Sequence, residues 1–269
     1  MVCHARPGLA NEDVASPIGL LVPLAQYSIA LSSVAESGVR DGNDAASNAP
    51  QEDGYTETTI PCITESPLLH LDSVRVGTGK TIHLWKHNTE LRYAIDKDSF
   101  MPEDRLWVQL NMLHAVCQWE GEGVRFKEVD HEDEFNFVVK YSQGEIFDDC
   151  LGRSFFPGAT KRKLYIYALA LTSENRNYLA GLLAHELGHI MGLRHEFAAE
   201  REKKVRSYLF GEKNKFSVMN YFEHPSQWGV QSQDRHELAS LYALTENEYN
   251  GVPIVRHGAL ELRRSRKHL

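Results

Sequence analysis

The stretch His185-Glu186-Leu187-Gly188-His189-Ile190-Met191-Gly192-Leu193-Arg194-His195 concentrates three histidines and a glutamate between apolar residues and glycines. Two histidines four residues apart stack on one face of a helix, about one turn from each other, so both imidazoles reach a common point. If the helix ran on, His195 would lie roughly 15 Å along the axis from His185 and point off that face. Gly192 removes the conflict. Glycine adopts the left-handed conformation that ends a helix and turns the chain back, which brings His195 to the point the other two share.

Three neutral imidazoles around one ion leave one position open, which is the arrangement of a catalytic rather than a structural zinc. Zn2+ is therefore the expected cofactor, with His185, His189 and His195 as its ligands. Glu186 lies about 100° around the helix from His185, placed to take the proton of a water at the open position and hand it to a leaving group. The ion lowers the pKa of that water and polarises a carbonyl. At ordinary residue frequencies the five fixed positions recur by chance in a chain this long roughly once in 10⁵, so accident explains them poorly.

The chain around this stretch reads as mixed helix and strand. Residues 91–95 alternate as a strand, Pro102-Glu103-Asp104 opens a helix to about residue 120, and 124–129, 135–141 and 163–172 are strand-like. The histidine helix spans about 178–193, and a shorter helix follows over 233–244. At 269 residues, 42% hydrophobic and 25% charged, most of the chain should fold. Residues 36–57 are rich in Gly, Ser, Ala, Asn and Asp, so 1–70 reads as a leader or pro-like segment, 71–250 as the catalytic domain and 251–269 as a basic tail.

A net charge of -8 speaks against nucleic acid as a partner. No apolar run reaches the roughly 20 residues of a membrane span. Residues 18–35 come nearest to a secretion signal, but Pro23 interrupts them and no positive segment precedes them. Secretion is the expectation, with an intracellular location as the alternative. Of the four cysteines, Cys117 falls in line with Leu106, Leu110 and Leu113 and reads as a small buried hydrophobe. Cys62 and Cys150 remain as the plausible bridge; alternatively, the Cys62 thiolate could fill the open metal position.

The zinc stretch together with Ser217-Val218-Met219-Asn220-Tyr221 resembles the metzincin zinc peptidases. The resemblance implies a methionine turn beneath the metal at Met219, and for Tyr221 the astacin-like and serralysin-like role of a zinc ligand that stabilises the tetrahedral intermediate. It also implies for Glu196 the astacin-like tie to a mature N-terminus. Upstream, Trp85, Trp119 and Ser154-Phe155-Phe156-Pro157-Gly158 resemble matrixins. The calcium-loop, glycine-repeat and cysteine patterns of the individual subfamilies are missing, so the subfamily stays open.

The implied fold is α+β: a twisted, mostly parallel five-stranded sheet with an antiparallel edge strand, two long helices and a smaller C-terminal subdomain. That edge strand, expected near 163–168, would pair with an extended polypeptide substrate. A monomeric metalloendopeptidase follows. An aminopeptidase or other zinc hydrolase on the same scaffold, or a catalytically silent binding module, stands as the alternative.

Overall fold

The computed structural model describes residues 75–77, 80–143, 150–196, 207–220 and 225–258. In chain order the strands are β1 (Arg75–Val76), β2 (Ile82–Trp85), β3 (Glu90–Ile95), β4 (Arg125–Glu128), β5 (Phe137–Ser142), β6 (Gly152–Arg153), β7 (Lys163–Tyr167), β8 (Tyr208–Leu209), β9 (Glu248–Tyr249) and β10 (Val252–His257). The helices are α1 (Pro102–Gln118), α2 (Leu179–Ile190) and α3 (Ser232–Ala243). Pro at the first turn of α1 and Glu103 and Asp104 behind it suit a helix start, where an N–H is unneeded and negative charge is welcome.

The main sheet has the order β4-β3-β5-β7-β6. β3 pairs in parallel with β4 and β5, β5 in parallel with β7, and only β6 runs antiparallel, against β7. This is the mostly parallel five-stranded sheet the resemblance implies, with one correction. The antiparallel edge strand is not 163–168. Lys163–Tyr167 lies inside the sheet, and Gly152–Arg153 ends it. An alternating apolar run marks a strand but not its place in the sheet, and a two-residue strand has no periodicity to detect.

Leu91, Tyr93, Ile95, Phe137, Val139, Leu164 and Ile166 from the sheet join Val108, Met112 and Ala115 of α1 and the length of α2 in one core. α1 packs directly against α2. Its core face is not the stripe expected from spacing, because Leu106 and Leu110 are 63% and 53% exposed. Cys117, on that outer stripe, is disulfide-bonded to a partner outside the described residues, whereas Cys150 is a buried thiol. The Cys62–Cys150 bridge is thereby excluded. Cys62 itself, the 1–70 segment and the basic residues from Arg263 onward lie outside the described residues.

The C-terminal part is woven back into the start of the domain. β10 pairs in parallel with β2 across most of the described chain, Ile254 opposite Ile82 and His257 opposite Trp85, with β9 on its other side. Residues 252–257 are thus strand where a tail had been expected from 251. β1 pairs with β8, and Val76 bridges to Leu193 just past the histidine helix.

Candidate metal centre

All twelve residues of α2 are buried, so its final carbonyls have no water to bond and must find partners inside the protein. Gly192 supplies two of them. With φ +97° it turns the chain so that its own N–H bonds the His189 carbonyl at 2.9 Å and the Leu193 N–H bonds the Gly188 carbonyl at 2.9 Å. The Trp85 indole donates to Ile190 O at 2.7 Å and the Tyr242 hydroxyl to Met191 O at 2.9 Å. A side chain at 192 would also place its Cβ 2.6 Å from the His83 carbonyl. The glycine is therefore required twice, by the turn and by the close approach of β2.

That turn delivers His195 to the other two histidines. Nε2 of His185 lies 3.1 Å from Nε2 of His195 and 3.2 Å from Nε2 of His189. The Nδ1 atoms of His185 and His189 lie 2.7 and 2.8 Å from the carbonyls of Val218 and Leu193. A carbonyl only accepts, so each Nδ1 carries the proton and each Nε2 a lone pair. Two lone pairs facing each other at 3.2 Å repel unless a cation lies between them. Corners of a zinc tetrahedron with Zn–N of 2.0–2.1 Å are about 3.3 Å apart, and the 3.1 and 3.2 Å separations fit two of its edges. Burial holds all three imidazoles below the usual histidine range, and for His189 and His195 their neighbouring histidines and Arg194 push the same way. Neutral imidazoles are the form that binds metal.

Beneath the histidines runs residue 217–220, with Val218 and Met219 fully buried. Met219 Sδ packs so closely on Gly188 that the helix has no room for a Cβ there. The Asp234 carboxylate at the start of α3 accepts from the N–H groups of Val218 at 3.0 Å and Gln231 at 2.8 Å. One carboxylate thus caps a helix and holds the turn whose Val218 carbonyl orients His185. Trp228 lies against the His185 ring at 5.3 Å, and Phe156 meets His189 edge-on at 5.4 Å.

Glu186 is fully buried, on the side of α2 that faces the edge strand: a Cβ on Gly152 of β6 would come 3.2 Å from its Oε1. Ser154 Oγ donates to the Glu186 carbonyl at 2.9 Å, tying the end of β6 to the helix. Glu196 is buried too, and its carboxylate accepts the Asn214 N–H at 2.6 Å. Burial pushes its pKa up to about 8 in spite of that bond. Tyr221 lies outside the described residues. The three histidines expected from spacing are brought together, Glu186, Gly192 and Met219 lie beside them, and Ser154 of the matrixin-like stretch touches Glu186, whereas Gly152, Trp228 and Asp234 were not singled out from sequence. Only Asp234, three residues after Gln231 at a helix start, carried a signal, that of a cap.

Three histidines converging above a buried methionine, on a mostly parallel sheet with one antiparallel edge, are the arrangement that the resemblance to the metzincins implies. Residues 171–249, which contain all three histidines and Met219, match the family model described as Met-zincin. No curated protein matches the chain. Among solved structures, myroilysin is similar over 61% of this chain and 97% of its own, at 12% identity and a TM-score of 0.44. High choriolytic enzyme 1, a hatching-enzyme zinc-protease from the medaka fish Oryzias latipes, is similar over 59% and 94%, at 15% identity and a TM-score of 0.42. Both scores fall below 0.5, so the likeness to metzincins rests on the family-model match over residues 171–249 and on the site itself. No helix among the described residues is long and apolar enough to cross a membrane.

Proposed function

We propose that this protein, a zinc metallopeptidase by class, is an endopeptidase that hydrolyses peptide bonds within extended polypeptides. His185, His189 and His195 hold the ion, and the observation that carries the reading is the convergence of their ring nitrogens, with the lone pairs of His185 and His189 turned inward. Bound zinc supplies Lewis acidity, which makes a water acidic and a carbonyl electrophilic. Glu186 accepts the proton of the attacking water and returns it to the leaving amine, so one carboxylate serves both halves of the reaction. Its burial beside β6 supports this role, because a carboxylate shielded from bulk water keeps its proton for the leaving group. Met219 supports the metal floor, and Tyr221 donates a hydrogen bond to the carbonyl oxygen as negative charge grows there.

The substrate backbone pairs with the outer edge of β6, the last strand of the sheet among the described residues. The leader-like segment 1–70 precedes the catalytic domain in this reading. Digestion of a mixed peptide library followed by mass spectrometry tests it: internal cuts are expected. Exclusive trimming from the amino terminus would move the protein to the aminopeptidases, and an intact library with a full zinc site would make it a binding module.

A further inference from the structure

Beside the metal centre lies a concavity of about 420 Å³, walled by the chain that leaves β6 and by the ends of β2 and β10. Its ionisable residues are Arg153, Lys161, His83 and His257, and no carboxylate lines it. In a chain of net charge -8 this local surplus runs against the whole. Among the described residues neither Arg153 nor Lys161 is in an ion pair, both line the concavity, and Arg153 also acts electrostatically on the Tyr167 hydroxyl.

The floor is preformed. His83 Nδ1 and His257 Nε2 lie 3.0 Å apart, one donating to the other, with the rings stacked at 5.3 Å. Gly158, at φ +85°, passes directly over His257, where a Cβ would come 2.6 Å from Cε1. Burial keeps both imidazoles below their usual range, which leaves the rings as neutral hydrogen-bonding groups and Arg153 and Lys161 as the charges. The concavity is joined to the metal centre by shared residues: Phe156, which lines it, touches His189 edge-on, and Ser154, which also lines it, bonds the Glu186 carbonyl. A peptide paired along β6 sends alternate side chains to the same face roughly 7 Å apart, and Arg153 of β6 itself lines the concavity.

We infer that this concavity is a specificity subsite for an acidic side chain of the polypeptide substrate, with Arg153 and Lys161 as the groups that bind its carboxylate. The inference rests on the endopeptidase reading above, and its chemistry is charge pairing of the kind a guanidinium and an ammonium provide.

A neutral fluorogenic peptide, scanned with Glu at each position in turn and with Gln as the matched control, tests it. At one position Glu should exceed Gln in kcat/KM by roughly ten- to a hundredfold at low salt, as a hydrogen bond to a charged group commonly delivers. The gain should shrink as salt screens the pair. Within Arg153→Gln and within Lys161→Gln the Glu/Gln ratio should fall toward one, and Lys161→Glu should favour a Lys peptide at the same position. Calorimetry of the same peptides with Glu186→Gln reads the subsite without turnover. Cleavage with a ratio of one at every position overturns the subsite and leaves the endopeptidase standing. Glu-selective binding without any cleavage sustains the subsite and overturns the endopeptidase. A ratio that survives both Arg153→Gln and Lys161→Gln overturns the assignment.

Discussion

The two long helices lie against each other yet meet opposite demands. α2 is enclosed by the sheet, α1 and the methionine turn, and all of its residues are buried. α1 buries Val108, Met112 and Ala115 and turns Leu106 and Leu110 outward. A helix with no wet face must satisfy every polar atom internally. α2 does so through the Trp85 and Tyr242 side chains at its end and through carbonyls for two of its histidines. His185 is consequently held by the Val218 carbonyl and His189 by the Leu193 carbonyl of the turn that ends the helix, so a change at either is felt at the histidine cluster. A change at Leu106 or Leu110, on the exposed face of α1, meets far less of the protein.

The largest expected effect sharpens this contrast at Glu186. Glu186→Gln keeps the shape and all three nitrogen ligands but removes the proton acceptor. Peptide cleavage should fall by roughly 10² to 10⁴-fold, while elemental analysis still finds about one zinc per chain. Undiminished cleavage would hand the base role to another residue. A folded, active protein devoid of any transition metal would remove the zinc reading altogether.

Gly192→Ala comes next, at the point where α2 turns. A left-handed alanine costs about 1–2 kcal/mol, and its Cβ would press on the His83 carbonyl at 2.6 Å, an overlap that adds about 1–3 kcal/mol. Denaturant titration should show a loss of roughly 2–5 kcal/mol by those two contributions. The purified variant should also hold less than its share of zinc, since the same turn aims His195. Wild-type stability with full zinc would mean that the turn tolerates a side chain and that α2 is less tightly enclosed than described.

Tyr221→Phe extends the α2 side of the contrast to the residue two beyond Met219. A donor that acts on the charged transition state lowers kcat when lost and leaves KM nearly alone. The expected fall in kcat is roughly 10 to 10³-fold, about 1.4 to 4 kcal/mol for one hydrogen bond. If kcat is unchanged at full zinc content, the tyrosine packs elsewhere and the kinship moves toward the matrixins.

How much of this was legible in the sequence follows the same division. On α2 the ligand chemistry prescribes the geometry: a shared metal dictates which face the histidines share, and the need to bring His195 back dictates a left-handed residue, observed at Gly192. The helix spans and the parallel strands were legible from periodicity. On α1 periodicity misled, because apolar residues line two faces and spacing does not say which is covered. Leu106, Leu110 and Cys117 form as regular a stripe as Val108, Met112 and Ala115. Contacts between residues far apart in sequence were beyond reach, among them the β2–β10 pairing, the Asp234 bond to Val218 and the histidine pair His83–His257. Each depends on tertiary closure that no local pattern encodes.

The smallest expected effect is on α1. Glutamine matches leucine closely in helix propensity, so Leu106→Gln isolates the value of the side chain's burial. At 63% exposure that value is small, and stability should change by no more than about 0.5 kcal/mol, as for surface substitutions generally. Met112→Ala, six residues along on the covered face and fully buried, serves as the reference and should cost about 2–5 kcal/mol through lost burial and the cavity left behind. Both are read from the same denaturant titration with the Cys117 disulfide intact. Should Leu106→Gln cost more than about 1 kcal/mol, beyond the surface range, the outer stripe is covered in the folded chain. The contrast between the two helices would then narrow to one of degree.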